Sequence, residues 1–463
     1  MRVLLIYPNI TDYPIDISYG LASISASLKK GGHQVELADF TFSGKTKILD
    51  KKIERFKPHV AGIPVASNDF DFCLKIGKHL KEIARIPVIA GGYHTTLASE
   101  DILAENCFDI AVIGEGEGPF LKILERLEES GDQADLAGIP GIAYKSGSET
   151  VYNESACLNP DPDQLPFPDK GLFDYQRYID LNRGLATFIS SFGCPYQCTY
   201  CINKALMDKF GKKGFIRFKS IPYLMSEIEN VMSAYRIREL EFYDDTFTLN
   251  RERLEEFCSL YPRHINLPFS INSRVDTIRD DEYPMLKAAG CKRISFGIEC
   301  GDPDIRNTIL GRNQSDEQII KAFRLSKESG IETLSYNMIG IPGETDESIR
   351  RTISLNRICR PDYVAVSIFN AYKGTEIFEQ CKMNGWLRYD RGLSYFQTSN
   401  VSHLIFSLRE LKRMRDRFGY EVFRKESMKR ALIDLVDKSF LKNRLYQNIR
   451  SILIRKGIKS YIR

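Results

Sequence analysis

The chain has 463 residues, more than one typical domain, so two or three are expected. Its 43% hydrophobic and 27% charged content is ordinary for a globular protein, and no run reaches the roughly 18 apolar residues of a membrane span. A formal charge of +4 singles out no partner, and the 11 cysteines form no regular framework, which favours reduced thiols in a cytosol over secreted disulfides.

The short apolar run at 3–7, cut by Pro8, reads as a first buried strand and not as a signal peptide. Further strand patterns at 34–38, 59–65, 87–90 and 110–113 alternate with amphipathic helical patterns at 19–30, 70–83 and 118–127. This repetition over residues 1–145 predicts a doubly wound parallel sheet. Polar and glycine-rich residues follow the strand ends: Asn9, then Ser67 and Asn68, then Gly91-Gly92-Tyr93-His94, then Gly114-Glu115-Gly116. Ligands of open α/β sheets bind outside the carboxyl ends of the strands, and glycine lets a bulky ligand approach the backbone. Any one of these is an ordinary β–α turn; four together predict a binding edge. Residues 146–180 break the rhythm with Asn159-Pro160-Asp161-Pro162-Asp163, which reads as a semi-rigid, extended linker.

Residues 181–385 hold a second β–α series. Its strands fall at 186–190, 240–243, 269–273, 293–298, 333–338 and 363–368, with helices at 221–235, 250–260, 281–289, 316–329 and 345–358. Six such units suit a partial (β/α)6 barrel with its chemistry at the carboxyl ends of the strands. Directly after the first strand comes Cys194-Pro195-Tyr196-Gln197-Cys198-Thr199-Tyr200-Cys201, a C-x3-C-x2-C spacing. Clustered thiolates select zinc, copper(I) or iron–sulfur chemistry. A structural zinc closes its tetrahedron with four protein ligands, whereas three leave one position open. A zinc knuckle or three incidental core thiols are the competing readings. Residues 386–463 read as helical and increasingly basic: 441–463 carries Lys442, Arg444, Arg450, Arg455, Lys456, Lys459 and Arg463 and no acid. Such a segment suits peripheral contact with an anionic membrane. A helix packed on its own domain with a solvated basic face explains it better, and too few aromatics interleave to argue for nucleic acid.

The cysteine spacing resembles the signature of the radical SAM superfamily, in which three cysteines hold a [4Fe-4S] cluster and S-adenosylmethionine (SAM) chelates the fourth iron. The resemblance continues along the later strand ends. In Phe242-Tyr243-Asp244-Asp245-Thr246-Phe247 it implies that Asp244 and Asp245 accept hydrogen bonds from the SAM amino group, a helix-capping carboxylate being the alternative for Asp245. It implies that Arg274 neutralises the SAM carboxylate, although Arg274 could instead pair with Asp276. Glu299, beside Gly297, is expected at the ribose, and the Gly340-Ile341-Pro342-Gly343 backbone at the adenine.

Residues 1–145 resemble the cobalamin-binding domains that precede such barrels, through Tyr19-Gly20-Leu21-Ala22, Ala61-Gly62-Ile63-Pro64, Gly91-Gly92-Tyr93-His94-Thr95-Thr96 and Gly114-Glu115-Gly116-Glu117. That implies a cobalamin pocket lined by Asn9, Ser67, Asn68, Gly91, Gly92, Tyr93, His94, Gly114, Glu115 and Gly116. The chain lacks Asp-x-His-x-x-Gly, so that motif places no histidine under the cobalt, and Lys373 stands where the family often has proline before Gly374-Thr375. The resemblance implies reductive cleavage of SAM, hydrogen abstraction from an unactivated carbon and methyl transfer by way of cobalamin. Cyclisation or rearrangement without methyl transfer, and a non-catalytic cobalamin or nucleotide sensor, are the alternatives. It further implies a small-molecule or lipid substrate, a flavodoxin- or ferredoxin-like electron donor and a cytoplasmic location.

Overall fold

The computed structural model describes residues 1–10, 16–42, 46–131, 134–388, 398–402 and 405–440; the basic segment 441–463 lies outside the described residues. The chain divides into two units. One is Met1–Pro195 with Ile202–Leu240 and Tyr372–Thr375; the other is Tyr196–Cys201 with Glu241–Ala371 and the chain from Glu376.

In the first unit, β1 (Arg2–Tyr7), β2 (Gln34–Asp39), β3 (Val60–Pro64), β4 (Val88–Gly91), β5 (Ile110–Val112), β6 (Ile142–Ser146) and β7 (Glu149–Tyr152) form one sheet in the order β2-β1-β3-β4-β5-β6-β7. β1 to β5 pair in parallel. Val3, Leu4, Leu5 and Ile6 are all buried, with no alternation, as expected of a parallel strand covered on both faces. The helices of this unit's sheet are α1 (Tyr19–Lys30), α2 (Lys47–Phe56), α3 (Phe70–Ile83), α4 (Gly92–Leu97), α5 (Ser99–Ala104) and α6 (Glu117–Ser130). Leu4, Ile6, Ile63 and Val88 pack with Cys73, Ile76 and Leu80 of α3 and Ile102 of α5.

The antiparallel pair β6–β7 carries this sheet past residue 145 into the segment read as linker. Strands of five and four residues are too short for their alternation to stand out in sequence. The proline-rich segment is also pinned. Asp169 accepts from Ser25 Oγ and Lys29 Nζ, each at 2.6 Å, and Tyr178 of α7 (Tyr175–Leu181) donates to Asp39 at 2.6 Å. The unit continues through β8 (Leu185–Phe188), β9 (Ser191–Phe192), α8 (Ile202–Phe210), β10 (Arg217–Phe218) and α9 (Ile221–Ala234).

The second sheet runs β8-β11-β12-β13-β14-β15, adding β11 (Glu239–Phe242), β12 (Phe269–Ser273), β13 (Cys291–Glu299), β14 (Glu332–Ile339) and β15 (Tyr363–Ile368). It is the partial barrel, with parallel pairing from β12 to β15. α10 (Arg251–His264), α11 (Glu282–Ala288), α12 (Asp316–Glu328) and α13 (Asp346–Cys359) connect its strands. Side-chain caps start three of them. Asn250 accepts from the Arg253 N–H, and Ser315 with Gln318 and Thr345 with Ser348 form capping boxes. After α14 (Glu376–Met383), α15 (Leu408–Phe423) lays Leu411, Phe418 and Val422 against Val364, Val366 and Ile368 of β15, and α16 (Met428–Phe440) follows. None of the helices described is long and apolar enough to cross a membrane.

Candidate active site

Gly193 enters the cysteine loop at φ +83, where a Cβ would lie 2.6 Å from the Phe215 carbonyl, so glycine is needed on both conformational and steric grounds. Cys194 and Cys198 are buried, Cys201 is half-buried, and none of the three is in a disulfide. Within the second unit, the loop 196–201 docks on a π-helical turn at Ile305–Ile309. The Thr199 N–H donates to Leu310 O at 3.1 Å and its hydroxyl to Ile309 O at 2.6 Å. Gly311 packs so close that a Cβ there would stand 3.1 Å from Gln197 O.

Among the described residues, no three His, Cys, Asp or Glu converge as one metal ion would require. An iron–sulfur cube makes no such demand, because each thiolate binds a different iron. Three cysteines in one short loop, with no oxygen or nitrogen ligand among them, are a soft donor set that suits it.

The residues expected at SAM separate into two groups. Asp244 is buried and Asp245 exposed, so the pair does not act as one unit. Glu299 sits at φ +62 beyond a bulge in β13, its side chain 13% exposed. Burial raises its pKa against the opposing pull of Arg312, whose guanidinium donates to it at 3.3 Å, to the Gly297 carbonyl at 2.7 Å and to Tyr200 OH at 2.8 Å. Arg274 is nearly saturated. Its fork donates to both Asp276 oxygens at 3.0 and 2.9 Å, to Arg312 O at 3.0 Å and to Cys198 Sγ at 3.6 Å, and its face covers the Tyr196 ring at 3.6 Å. The competing pairing with Asp276 is therefore the one that forms, in a buried setting.

Gly340 (φ +80) donates its N–H to Glu344 Oε2 at 2.5 Å, and Ile341 donates to the same oxygen at 3.3 Å. Arg312, Tyr200 and Glu344 escaped sequence reasoning. Glu344 alone left a signal, an acid four residues beyond a strand-end glycine. Burial pushes its carboxyl up to about 8, against those two backbone donors, and its other oxygen has no partner among the described residues. The folded state thus binds this proton more tightly than the unfolded chain, whose reference value is 4.5. The associated stability is full below about 4.5 and is lost as pH rises through about 8, a loss on the order of 3–5 kcal/mol. Glu344→Gln keeps an acceptor for both N–H groups. Compared with wild type in urea melts from pH 5 to 9, it is expected to show a flatter profile and to gain most at the alkaline end.

At the edge of the first sheet the polar turns follow β1, β3, β4 and β5, and β1/β3 is the point where strand order reverses. Gly91 has open space where a Cβ would project, Gly92 takes φ +90 with a Cβ position 2.9 Å from Val65 O, and Tyr93 is 59% exposed. That open edge fits a broad, flat ligand. Ser67 and His94 meet at 2.9 Å. His94 is buried against Phe70, its Nε2 facing Asp101 at 3.7 Å, and Lys373 donates to Asp101 at 2.6 Å. Asn9 donates to Thr41, Asn68 is half-buried, and Gly114 (φ +98) donates its N–H to Thr96. Glu115 is held by Arg217 at 2.5 Å and by the Asn159 N–H at 2.7 Å, while Gly116 opens α6. Glu115 therefore fixes the linker end and supplies the partner that the buried charge of Arg217 requires.

Residues 188–355 match the family model of the radical SAM superfamily, and residues 15–124 match that of the B12 binding domain. The chain is a radical SAM protein with a B12-binding domain. Its cofactors are accordingly a [4Fe-4S] cluster, SAM and cobalamin, and it is an enzyme that draws on an external reductant. This radical SAM protein is 28% identical to a Pyrococcus horikoshii protein described as an uncharacterized methyltransferase, over 94% of this chain and 98% of that one. It is 26% identical to the anaerobic magnesium-protoporphyrin IX monomethyl ester cyclase of Rubrivivax gelatinosus, over 82% of this chain and 70% of the cyclase. Its fold matches the radical SAM methyltransferase TsrM of Kitasatospora setae, solved with tryptophan and a SAM analogue, at TM-score 0.70 and 20% identity over 84% of this chain and 77% of TsrM. It also matches the cobalamin-dependent radical enzyme OxsB, at TM-score 0.71 and 15% identity over 99% of this chain and 76% of OxsB.

Proposed function

We propose that this radical SAM enzyme is a cobalamin-dependent methyltransferase acting on an unactivated carbon of a small molecule or lipid. The observation that carries this reading is the succession, on one chain, of a B12-binding domain and a radical SAM domain opening on the three-cysteine loop. When bound, the cluster and SAM supply one-electron cleavage of a sulfonium carbon–sulfur bond, and cobalamin supplies a methyl carrier. Cys194, Cys198 and Cys201 hold the cluster, leaving one iron for SAM.

Asp245, the exposed member of its pair, takes the SAM amino group, while Asp244 is buried. Glu299 is locked by Arg312 and Tyr200 into one rotamer beside Gly297, ready to accept from ribose hydroxyls. Gly340 serves by its left-handed turn, since its N–H is committed to Glu344. The edge at Gly91, Gly92 and Tyr93, with Asn9, Ser67, Asn68, His94, Gly114 and Gly116, receives the corrin. The 11 cysteines, none in a disulfide, suit a reducing cytoplasm, where a flavodoxin- or ferredoxin-type protein supplies the electrons.

The balance is two SAM and two electrons per product. One SAM leaves as S-adenosylhomocysteine, the other as methionine and 5′-deoxyadenosine, which carries off the substrate hydrogen. Reconstituted protein given methyl-labelled SAM, cobalamin and a strong reductant is expected to move label into the corrinoid, with one S-adenosylhomocysteine released per label. The likeness to a cyclase supports a second reading. 5′-Deoxyadenosine formed without any labelled corrinoid would decide for that one.

A further inference from the structure

We infer that Arg274 is a positioning residue for the iron–sulfur cluster, a buried cation that raises its reduction potential through Cys198, and not a ligand of SAM. The inference rests on the reading that Cys198 holds the cluster. Four of the five donors of the guanidinium are committed: Nε and Nη2 to Asp276, Nη2 again to Arg312 O, and Nη1 to Cys198 Sγ at 3.6 Å, a normal separation for the larger sulfur atom. Tyr196, two residues before Cys198, closes one face of the plane at 3.6 Å. Gln314 donates to Asp276 at 2.8 Å and so holds the counter-charge in place. The group is buried, so re-aiming it at a diffusible carboxylate would break a bidentate ion pair in a medium of low dielectric.

Reduction adds an electron to the cluster, and a cation hydrogen-bonded to a ligating sulfur stabilises that added charge more than it stabilises the oxidised form. Asp276 partly offsets the effect. Burial pushes its own pKa up, but the Arg274 hydrogen bonds and charge outweigh this and leave it lowered, so it is an anion. The two residues thus set the potential in opposite directions.

The test is potentiometric titration of the reconstituted cluster, followed by electron paramagnetic resonance, with iron and sulfide assayed on each sample. Arg274→Gln is expected to keep its iron and sulfide and shift to a lower potential. Its 5′-deoxyadenosine formation should fall about ten-fold with a weak reductant and far less with titanium(III) citrate. Arg274→Lys should recover part of the potential. Asp276→Asn keeps the guanidinium and removes its offset, so its potential should rise. An unchanged potential in Arg274→Gln, or a raised KM for SAM as the sole effect, overturns the inference. If Arg274→Gln fails to fold or to take up iron, Asp276→Asn decides: a rise supports the inference and no change, or a fall, rejects it. Failure of the wild-type protein to assemble any cluster would instead remove the reading of Cys198 beneath it.

Discussion

Cys198→Ala abolishes reductive cleavage of SAM: no 5′-deoxyadenosine forms above background, and reconstituted protein retains little iron or sulfide. The same loss is expected of Cys194→Ala and Cys201→Ala, and the triple variant should be no worse than any single one. Residues that act as a unit are grossly non-additive, because the first removal already destroys what the others serve. A cube holding SAM on one iron has only three protein anchors, so none is redundant. The stability cost is small by comparison. Removing one buried thiol from a loop fixed by Thr199 on the turn at Ile305–Ile309 deletes a single atom's packing, about 1 kcal/mol. Far-UV circular dichroism and a melting curve close to wild type would separate loss of the cluster from loss of fold. The exposed Cys157 provides the control. Cys157→Ser should leave iron content and 5′-deoxyadenosine formation unchanged. Full activity in Cys198→Ala would remove the cluster assignment.

The loop was legible because its chemistry is local: three ligands within eight residues leave a spacing that can be read without any fold. The strands were legible for a similar reason. β12 and β15 span the residues that their patterns indicate, since both alternate: Phe269 and Ile271 with Ser270 and Asn272, and buried Val364, Val366 and Ile368 with half-buried Tyr363, Ala365 and Ser367. What escaped depends on pairings between distant residues. Arg274 lies 38 positions from Arg312, whose carbonyl it engages, and Arg312 lies 13 from Glu299. No periodicity links such partners. The same holds for Glu115, whose charge looks free at a ligand edge until Arg217, 102 residues on, is folded against it. The β6–β7 hairpin was hidden for a different reason. Only Ile142 and Ala143 of it are buried, β7 lies at the sheet edge, and the half-buried or exposed remainder reads as linker.

Glu227→Ala is expected to destabilise the first unit by about 3–5 kcal/mol, the largest stability effect of any single substitution considered. Glu227 of α9 forms an ion pair with Lys219, and both side chains are essentially inaccessible. The ammonium lies 5.1 and 5.6 Å from the rings of Tyr19 and Tyr223, an aromatic surround that favours a cation but cannot neutralise it. A second buried ammonium, Lys170, feels the same carboxylate. Burial lowers its pKa to about 8, and the attraction of Glu227 is the largest of the contributions opposing that fall. Deleting Glu227 therefore removes the carboxylate paired with buried Lys219 and weakens the field that supports Lys170, which keeps its hydrogen bond to Thr187 O at 2.6 Å.

Because the folded pKa of Lys170 lies below its reference of 10.5, the unfolded chain binds its proton more tightly, and stability recovers as pH climbs from about 8 toward 10.5. Without Glu227 that pKa falls further, so the deficit measured by urea unfolding should be greater at pH 7 than at pH 9.5. Glu229→Ala, at an exposed position two residues along, should stay within about 0.5 kcal/mol of wild type. The double variant Lys219→Met, Glu227→Leu supplies the decisive comparison. Replacing both charges by apolar groups of similar volume should restore most of the stability that Glu227→Ala loses. A double variant as unstable as the single one would show that the cost comes from packing around α9, and not from the uncompensated charge.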